Sequence, residues 1–145
     1  MKSRRNSGRW TAAPLDPPMP AQFSKHYTVE EARALLPDVR LWLDGLDQCA
    51  GRLKTLDKKV GALLDQGCDA GGKSVNDLMK TLAECRDVLL EFHRRQIQVK
   101  DLKRGLIDFP SYRDGREIFL CWERDEEDIE FWHDLETGYS GRERL

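Results

Sequence analysis

The chain has 145 residues, a length that suits one domain with a modest hydrophobic core. Charged residues make up 34% of it and hydrophobic residues 39%, a balance that fits long solvated helices better than a compact globule. The net charge is −2 and no apolar run approaches the length of a membrane span, so neither nucleic acid nor a membrane is predicted as a partner.

Residues 1–25 are predicted to form a disordered, basic, proline-rich arm. They carry five Lys or Arg residues against a single acid, and they offer too little apolar surface to offset the entropy of ordering. Such an arm either has no specific role or contacts an acidic partner. It also lacks the apolar core of a secretory signal. The folded domain is therefore predicted to span residues 26–145.

The first long element of that domain is predicted to be an amphipathic helix that begins after Thr28. Thr28 and Glu31 have the spacing of a capping box. Apolar residues then recur at steps of three and four, which keeps them on one side of a helix. This stripe consists of Ala32, Leu36, Val39, Leu43, Leu46, Ala50, Leu53, Leu56, Val60 and Leu63.

A second helix is predicted to follow a glycine-rich turn, in which Gly67 suits the left-handed position that closes a helix. Ser74 and Asp77 have the spacing of an N-terminal cap, and the helix is expected to end near Gly105. Its seam residues alternate between steps of three and four, as in a coiled coil. They are Val75, Leu78, Leu82, Cys85, Leu89, Phe92, Gln96 and Val99.

The last 40 residues are predicted to form a three-stranded antiparallel meander that caps the open end of the hairpin. The strongest strand is 117–123, whose two faces are both apolar, so we expect it to be central and covered on both sides. Residues 106–110 and 129–134 are its predicted neighbours, with a turn at Asp114-Gly115. The predicted fold class is thus mainly α with a small β cap.

Four cysteines are present, and none belongs to a CxxC pair or to a zinc-finger spacing. Cys49 and Cys85 lie at or beside the predicted helical seams, where a thiol behaves as a small apolar residue. Buried, reduced thiols of a cytoplasmic protein are the expectation.

Several short motifs resemble an uncharacterised prokaryotic family, the domain of unknown function 2203. The resemblance covers about residues 26–145 and implies the same fold, a cytoplasmic setting and no established activity. The sequence departs from the family pattern at 124–128, which lacks a glycine, and at 143–144, which stands where a proline is usual. The matching motifs are Tyr27–Ala32 with Leu35–Pro37, Val99–Asp101, Arg104–Pro110, Leu120–Trp122, Trp132-His133, and Gly138 with Gly141-Arg142.

Polar residues of the cap supply the candidate site. Carboxylates and one histidine suit a divalent metal ion, and arginines suit a small anion. The same residues would also satisfy one another as ion pairs within the fold. The predicted metal ligands are Asp101, Asp108, Glu123 and His133, and the predicted binding arginines are Arg104, Arg113 and Arg142.

Three functions are compatible with these features. A lone helical hairpin covers only one stripe on each helix, which favours a structural or interaction module that forms a homodimer through a four-helix bundle. The alternative is a protein that binds a divalent metal or a small anion in the cap. An enzyme acting through Cys121 or His133 is the third, although no catalytic signature is found and a buried structural thiol fits Cys121 better.

Overall fold

The computed structural model describes residues 20–145, which form two helices followed by a five-stranded antiparallel sheet. Most of the predicted disordered arm lies outside the described residues. A 3₁₀ turn, Tyr139–Gly141, precedes the last strand. The elements are α1 (Val29–Asp65), α2 (Lys73–Arg94), β1 (Gln98–Asp101), β2 (Leu106–Arg113), β3 (Arg116–Glu123), β4 (Phe131–Asp134) and β5 (Glu143–Arg144).

The first helix begins as predicted, with a complete capping box. The Thr28 hydroxyl accepts from the Glu31 amide at 3.1 Å, and the Glu31 carboxylate accepts from the Thr28 amide at 2.9 Å. Its apolar stripe is buried from Ala32 to Cys49 and only half-buried beyond that point. The sheet therefore covers the first half of α1, and the second half projects away with α2 alone beside it.

The second helix differs from its prediction at both ends. It begins at Lys73 after Gly72, with no side-chain cap, so the predicted cap at Ser74 is wrong. It ends at Arg94, because Gln96 adopts a left-handed conformation with φ 56° and Ile97 then enters the core. Residues 98–101, predicted as helix, instead form β1. At the turn, Gly67 has the predicted left-handed conformation, with φ 69°.

Every second position of the contact line between the helices is displaced by one residue from the predicted seam, while Leu78, Cys85 and Phe92 lie on it as predicted. Thr81 is buried and Val88 lies against Gly45, whereas Leu82 and Leu89 are 45% and 47% exposed. The residues of α2 that turn toward α1 are Ser74, Leu78, Thr81, Cys85, Val88 and Phe92, again at steps of four and three.

The sheet has five strands rather than the predicted three, in the order β1-β2-β3-β4-β5. The prediction missed β1 because it assigned those residues to the helix, and it missed β5 because two residues carry no periodicity. The predicted central position of β3 is confirmed. The Asp114-Gly115 turn joins β2 to β3 with Arg113 paired to Arg116. Within residues 20–145, neither helix combines the length and the hydrophobicity needed to cross a bilayer.

Alternation along the strands separates two covered faces of the sheet. Ile107 and Phe109 of β2 pair with Trp122 and Leu120 of β3 and belong to the core shared with α1. Asp108 lies between them in sequence and therefore points to the opposite face. Strand residues on that opposite face are Asp108, Pro110, Phe119, Cys121, Phe131 and His133.

Residues 20–26, the N-terminal segment, cross the end of this second face. The Glu117 carboxylate accepts hydrogen bonds from the backbone amides of Gln22 and Phe23, at 2.6 and 3.0 Å. The Phe23 ring packs edge-on against Phe119, with centroids 5.4 Å apart, and the His26 ring lies 2.8 Å from the same carboxylate. The segment thus closes one end of the face on which Asp108 lies.

Candidate functional site

Three buried side chains with metal-ligating atoms meet on the second face of the sheet. Asp108 of β2 pairs directly with Cys121 of β3, and His133 of β4 lies diagonally from Cys121, two register positions away on the same face. Their ligand atoms all lie within 4.8 Å of one another. Asp108 and His133 are each 2% exposed and Cys121 is fully buried. The strand register therefore assembles an Asp–Cys–His cluster without any loop.

The imidazole of His133 is held by two oxygen acceptors. Its Nε2 lies 3.1 Å from Asp108 Oδ2, and its Nδ1 lies 2.7 Å from the backbone carbonyl of Asp134. A carbonyl oxygen can only accept, so Nδ1 carries a proton. Burial alone would lower the pKa of His133, but the bonds to Asp108 and Asp134 outweigh it and raise that pKa above its usual value. The Asp108 carboxylate therefore favours the protonated form of the ring.

The thiol of Cys121 is kept protonated by its surroundings. Burial, followed by the negative charge of Asp108, raises the pKa of Cys121 far above the usual value, and Arg142 offsets this only in part. A thiol in this state is a poor nucleophile, so the geometry opposes the enzyme hypothesis that places Cys121 at the reacting centre.

One oxygen of the cluster has no hydrogen-bond partner of good geometry. Asp108 Oδ1 is buried and unpaired, while Oδ2 of the same carboxylate holds His133. A buried polar atom without a partner costs about 1–3 kcal/mol. Within the cluster, the Cys121 thiol is the donor nearest to this carboxylate.

Two of the four predicted metal ligands are brought together, and two are not. Asp108 and His133 share the cluster, with Cys121 as the third member. Asp101 and Glu123 lie outside it and hold Arg104 instead. The Asp101 carboxylate accepts from the Arg104 amide at 3.0 Å, and the Glu123 carboxylate accepts from Arg104 Nε at 2.7 Å. Asp101 ends β1 and Glu123 ends β3, and both hold the β1–β2 turn through Arg104.

The predicted binding arginines do not converge on one anion site. Arg104 and Arg142 stack on the ring of Tyr139, at 4.4 and 4.8 Å, and each already pairs with a glutamate. Arg113 lies at the far end of β2, over the ring of Trp132. The Arg142 side chain also covers Phe131 at 4.1 Å, and the Arg142–Glu126 pair closes the second face near Cys121. The side chains of these arginines therefore pack over aromatic rings of the C-terminal region.

Cys121 is the member of the cluster that sequence reasoning did not include among the predicted metal ligands. Alternation along 117–123 places Phe119 and Cys121 on one face, which the sequence does show. The Asp114-Gly115 turn sets Cys121 opposite Asp108, but the register between β3 and β4, which brings His133 to the cluster, could not be fixed from residue types.

A second unusual surface lies on α2, away from the sheet. Val75, Met79, Leu82, Arg86 and Leu89 recur at steps of four and three on the side that does not face α1, and we call this stripe the outer face of α2. Met79 is 60% exposed. The flank on the other side of the helix contact is polar. It carries the Arg52–Glu84 pair, at 2.6 Å, and an open groove of about 870 Å³.

Comparison with known proteins gives a family. No curated protein and no solved structure matches the chain. The family described as uncharacterized conserved protein DUF2203 matches residues 25–145, and this agrees with the resemblance noted in the motifs. The chain therefore belongs to the DUF2203 family.

Proposed function

We propose that this chain is a non-enzymatic interaction module of the cytoplasm that self-associates through the outer face of α2. The observation that carries the proposal is the pair Leu82 and Leu89, seven residues apart and each nearly half exposed on an intact helix. A spacing of seven keeps both leucines on one seam of a coiled coil. A second copy of the chain is the proposed occupant of that seam.

The far half of the hairpin, residues 50–85, gives the reason why a partner is needed. In this half of α1, Leu53, Leu56, Val60 and Leu63 are only half-buried. The helices touch each other along one line, and the apolar residues on the outer face stay largely exposed, Met79 at 60%, Leu82 at 45% and Leu89 at 47%. Fully burying one such side chain contributes about 1.5–3 kcal/mol.

An antiparallel, two-fold arrangement of α2 fits the order of residues along this face. It sets Leu82 of one copy beside Leu89 of the other, and by symmetry the reverse. The Arg86–Asp87 pair, at 3.0 Å, lies midway between the two leucines. At the two-fold axis, each Arg86 would then meet the aspartate of the second copy. The outcome is a four-helix bundle built from two hairpins.

The non-enzymatic part of the proposal depends on the cap. Cys121, the candidate nucleophile, is fully buried and its pKa is raised. The neighbouring Asp108 and His133 are also buried and bond to each other. Free thiols at all four cysteines agree with a reducing compartment.

Light scattering coupled to size exclusion tests the proposal at micromolar concentration. We expect the full chain to have twice the chain mass of 16.8 kDa. The double variant L82E/L89E should have the mass of one chain, because four buried carboxylates cannot share an apolar seam. The matched control is L41E, at a leucine 68% exposed on α1, which should leave the dimer intact. A wild-type monomer throughout the micromolar range would contradict self-association.

A further inference from the structure

We propose that Asp108, Cys121 and His133 bind one divalent transition-metal ion with the ligand preference of zinc. This site lies in the sheet, apart from the outer face of α2, and the inference does not depend on self-association. Its ligand set differs from the predicted one, since it replaces two carboxylates with a thiolate. That replacement changes the class of metal from a hard ion to a borderline one.

The donor chemistry selects the ion. A thiolate, an imidazole nitrogen and one carboxylate oxygen together suit Zn²⁺, Co²⁺ or Fe²⁺, whereas Mg²⁺ and Ca²⁺ prefer oxygen ligands throughout. Three protein ligands leave one position of a tetrahedron for water or a small anion. The cluster is thus of the three-ligand kind, with one position not supplied by the chain.

The distances are close to those that a bound ion requires. In a tetrahedral site with Zn–N, Zn–O and Zn–S bonds of usual length, ligand atoms lie about 3.3–3.8 Å apart. The three ligand atoms are all within 4.8 Å of one another, and His133 Nε2 and Asp108 Oδ2 are already 3.1 Å apart. The ligand atoms that are farthest apart would have to approach each other by about 1 Å to reach tetrahedral separations, and small side-chain rotations can supply that movement.

Two observations on the side chains of the cluster favour a bound metal ion. Asp108 Oδ1, on a side chain only 2% exposed, has no hydrogen-bond partner. His133 Nδ1 donates to the Asp134 carbonyl and so leaves Nε2 directed at the other two ligands. This is the outer contact that commonly orients a histidine ligand and fixes its tautomer.

Binding would also displace the proton of the Cys121 thiol to solvent, because the thiolate is the form of cysteine that ligates a metal. The other charged groups facing this region are Lys100, from β1, and the Arg142–Glu126 pair.

Cobalt substitution tests the site in the full chain, purified without a histidine tag and stripped with a chelator. We expect one Co²⁺ per chain, with visible bands of tetrahedral cobalt and a sulfur-to-cobalt charge-transfer band in the near ultraviolet. Zn²⁺ should bleach these bands stoichiometrically. Cys121→Ser should abolish the charge-transfer band, and Asp108→Asn should weaken cobalt binding at least tenfold. The matched controls are Cys68→Ser, at an exposed cysteine, and His93→Gln, at an exposed histidine, which should both bind as wild type.

A second measurement uses only the wild-type chain, so a variant that fails to fold cannot hide the answer. Zn²⁺ should protect Cys121 from a thiol reagent under partly denaturing conditions, as read by peptide mapping, and should leave the exposed Cys68 unprotected. The inference is overturned if wild-type protein shows no charge-transfer band with cobalt, if folded Cys121→Ser retains that band, or if zinc gives Cys121 no protection.

Discussion

The outer face of α2 exposes apolar side chains, whereas the centre of the sheet buries polar ones. On the outer face, Leu82 and Leu89 are 45% and 47% exposed to water. The sheet buries a hydrogen-bonded aspartate and histidine and a thiol, at Asp108, His133 and Cys121. Large exposed apolar stripes and buried polar groups are the informative exceptions to normal burial. Each region therefore indicates a different kind of occupant, a protein surface for the first and a metal ion for the second.

The largest expected effect comes from breaking the buried ion pair of the sheet. Asp108→Ala leaves the buried His133 ring without its carboxylate partner, so the metal-free chain should lose about 3–5 kcal/mol of unfolding free energy. Urea denaturation in the presence of a chelator measures it. The control is Asp101→Ala at the half-buried turn, expected to cost far less. A loss below about 1 kcal/mol for Asp108→Ala would show that the cluster carries no charge pair.

The two halves of α1 should respond differently to the same truncation. Leu43→Ala removes a fully buried side chain beneath the sheet and should cost about 2–5 kcal/mol. Leu56→Ala, half-buried in the far half, should cost less than half as much. Chemical denaturation at one protein concentration gives both values. Equal losses would mean that the far half is packed as tightly as the near half, which removes the reason for a partner.

A milder change to the outer face sharpens the contrast between folding and association. In L82Q/L89Q, each chain should retain its helicity, because both positions are near half exposed. The melting temperature of the wild type should rise with protein concentration, as for any dimer, and that of the variant should not. Calorimetry over a hundredfold range of concentration measures the difference. Identical concentration dependence in both would place the association elsewhere.

The smallest expected effect concerns the N-terminal segment at the end of the sheet. Burial would raise the pKa of Glu117, but hydrogen bonds from the Gln22 amide, the His26 ring and the Phe23 amide outweigh it and lower that pKa. A lowered pKa means that the stabilisation is present above the usual carboxyl value and is lost as pH falls through the lower, folded value.

The corresponding variant is Glu117→Gln, which removes the charge at neutral pH. We expect faster hydrogen exchange at the amides of Gln22 and Phe23, with core strands unchanged. Glu127→Gln, at an exposed position, is the control. Unchanged exchange at both amides would mean that the Glu117 carboxylate does not hold the segment.

Sequence patterns predicted the helical hairpin and the central strand because each has a long, regular period. The capping box at Thr28 and the apolar run from Ala32 to Leu46 depend only on local spacing, and both are confirmed. The end of α2 could not be predicted because Gln96, a residue with no strong preference for the left-handed region, makes the break there. Strands of two and four residues, as in β5 and β1, carry too little pattern to recognise.

The candidate site was predicted in part, for a related reason. Asp108 and His133 were predicted as metal ligands because they are polar residues inside apolar strands, and the structure brings them into contact. Asp101 and Glu123 lie at strand ends, where a carboxylate more often meets a neighbouring arginine, here Arg104. Cys121 meets His133 only through the register between β3 and β4, which residue types do not determine.

Native mass spectrometry of the zinc-loaded, tag-free chain tests both proposals, the dimer and the metal site, most directly. It counts the chains and the ions in one particle. The account predicts two chains with two zinc ions, a single chain with one zinc ion for L82E/L89E, and two chains without zinc for Cys121→Ser. A wild-type particle of one chain without bound metal would contradict it.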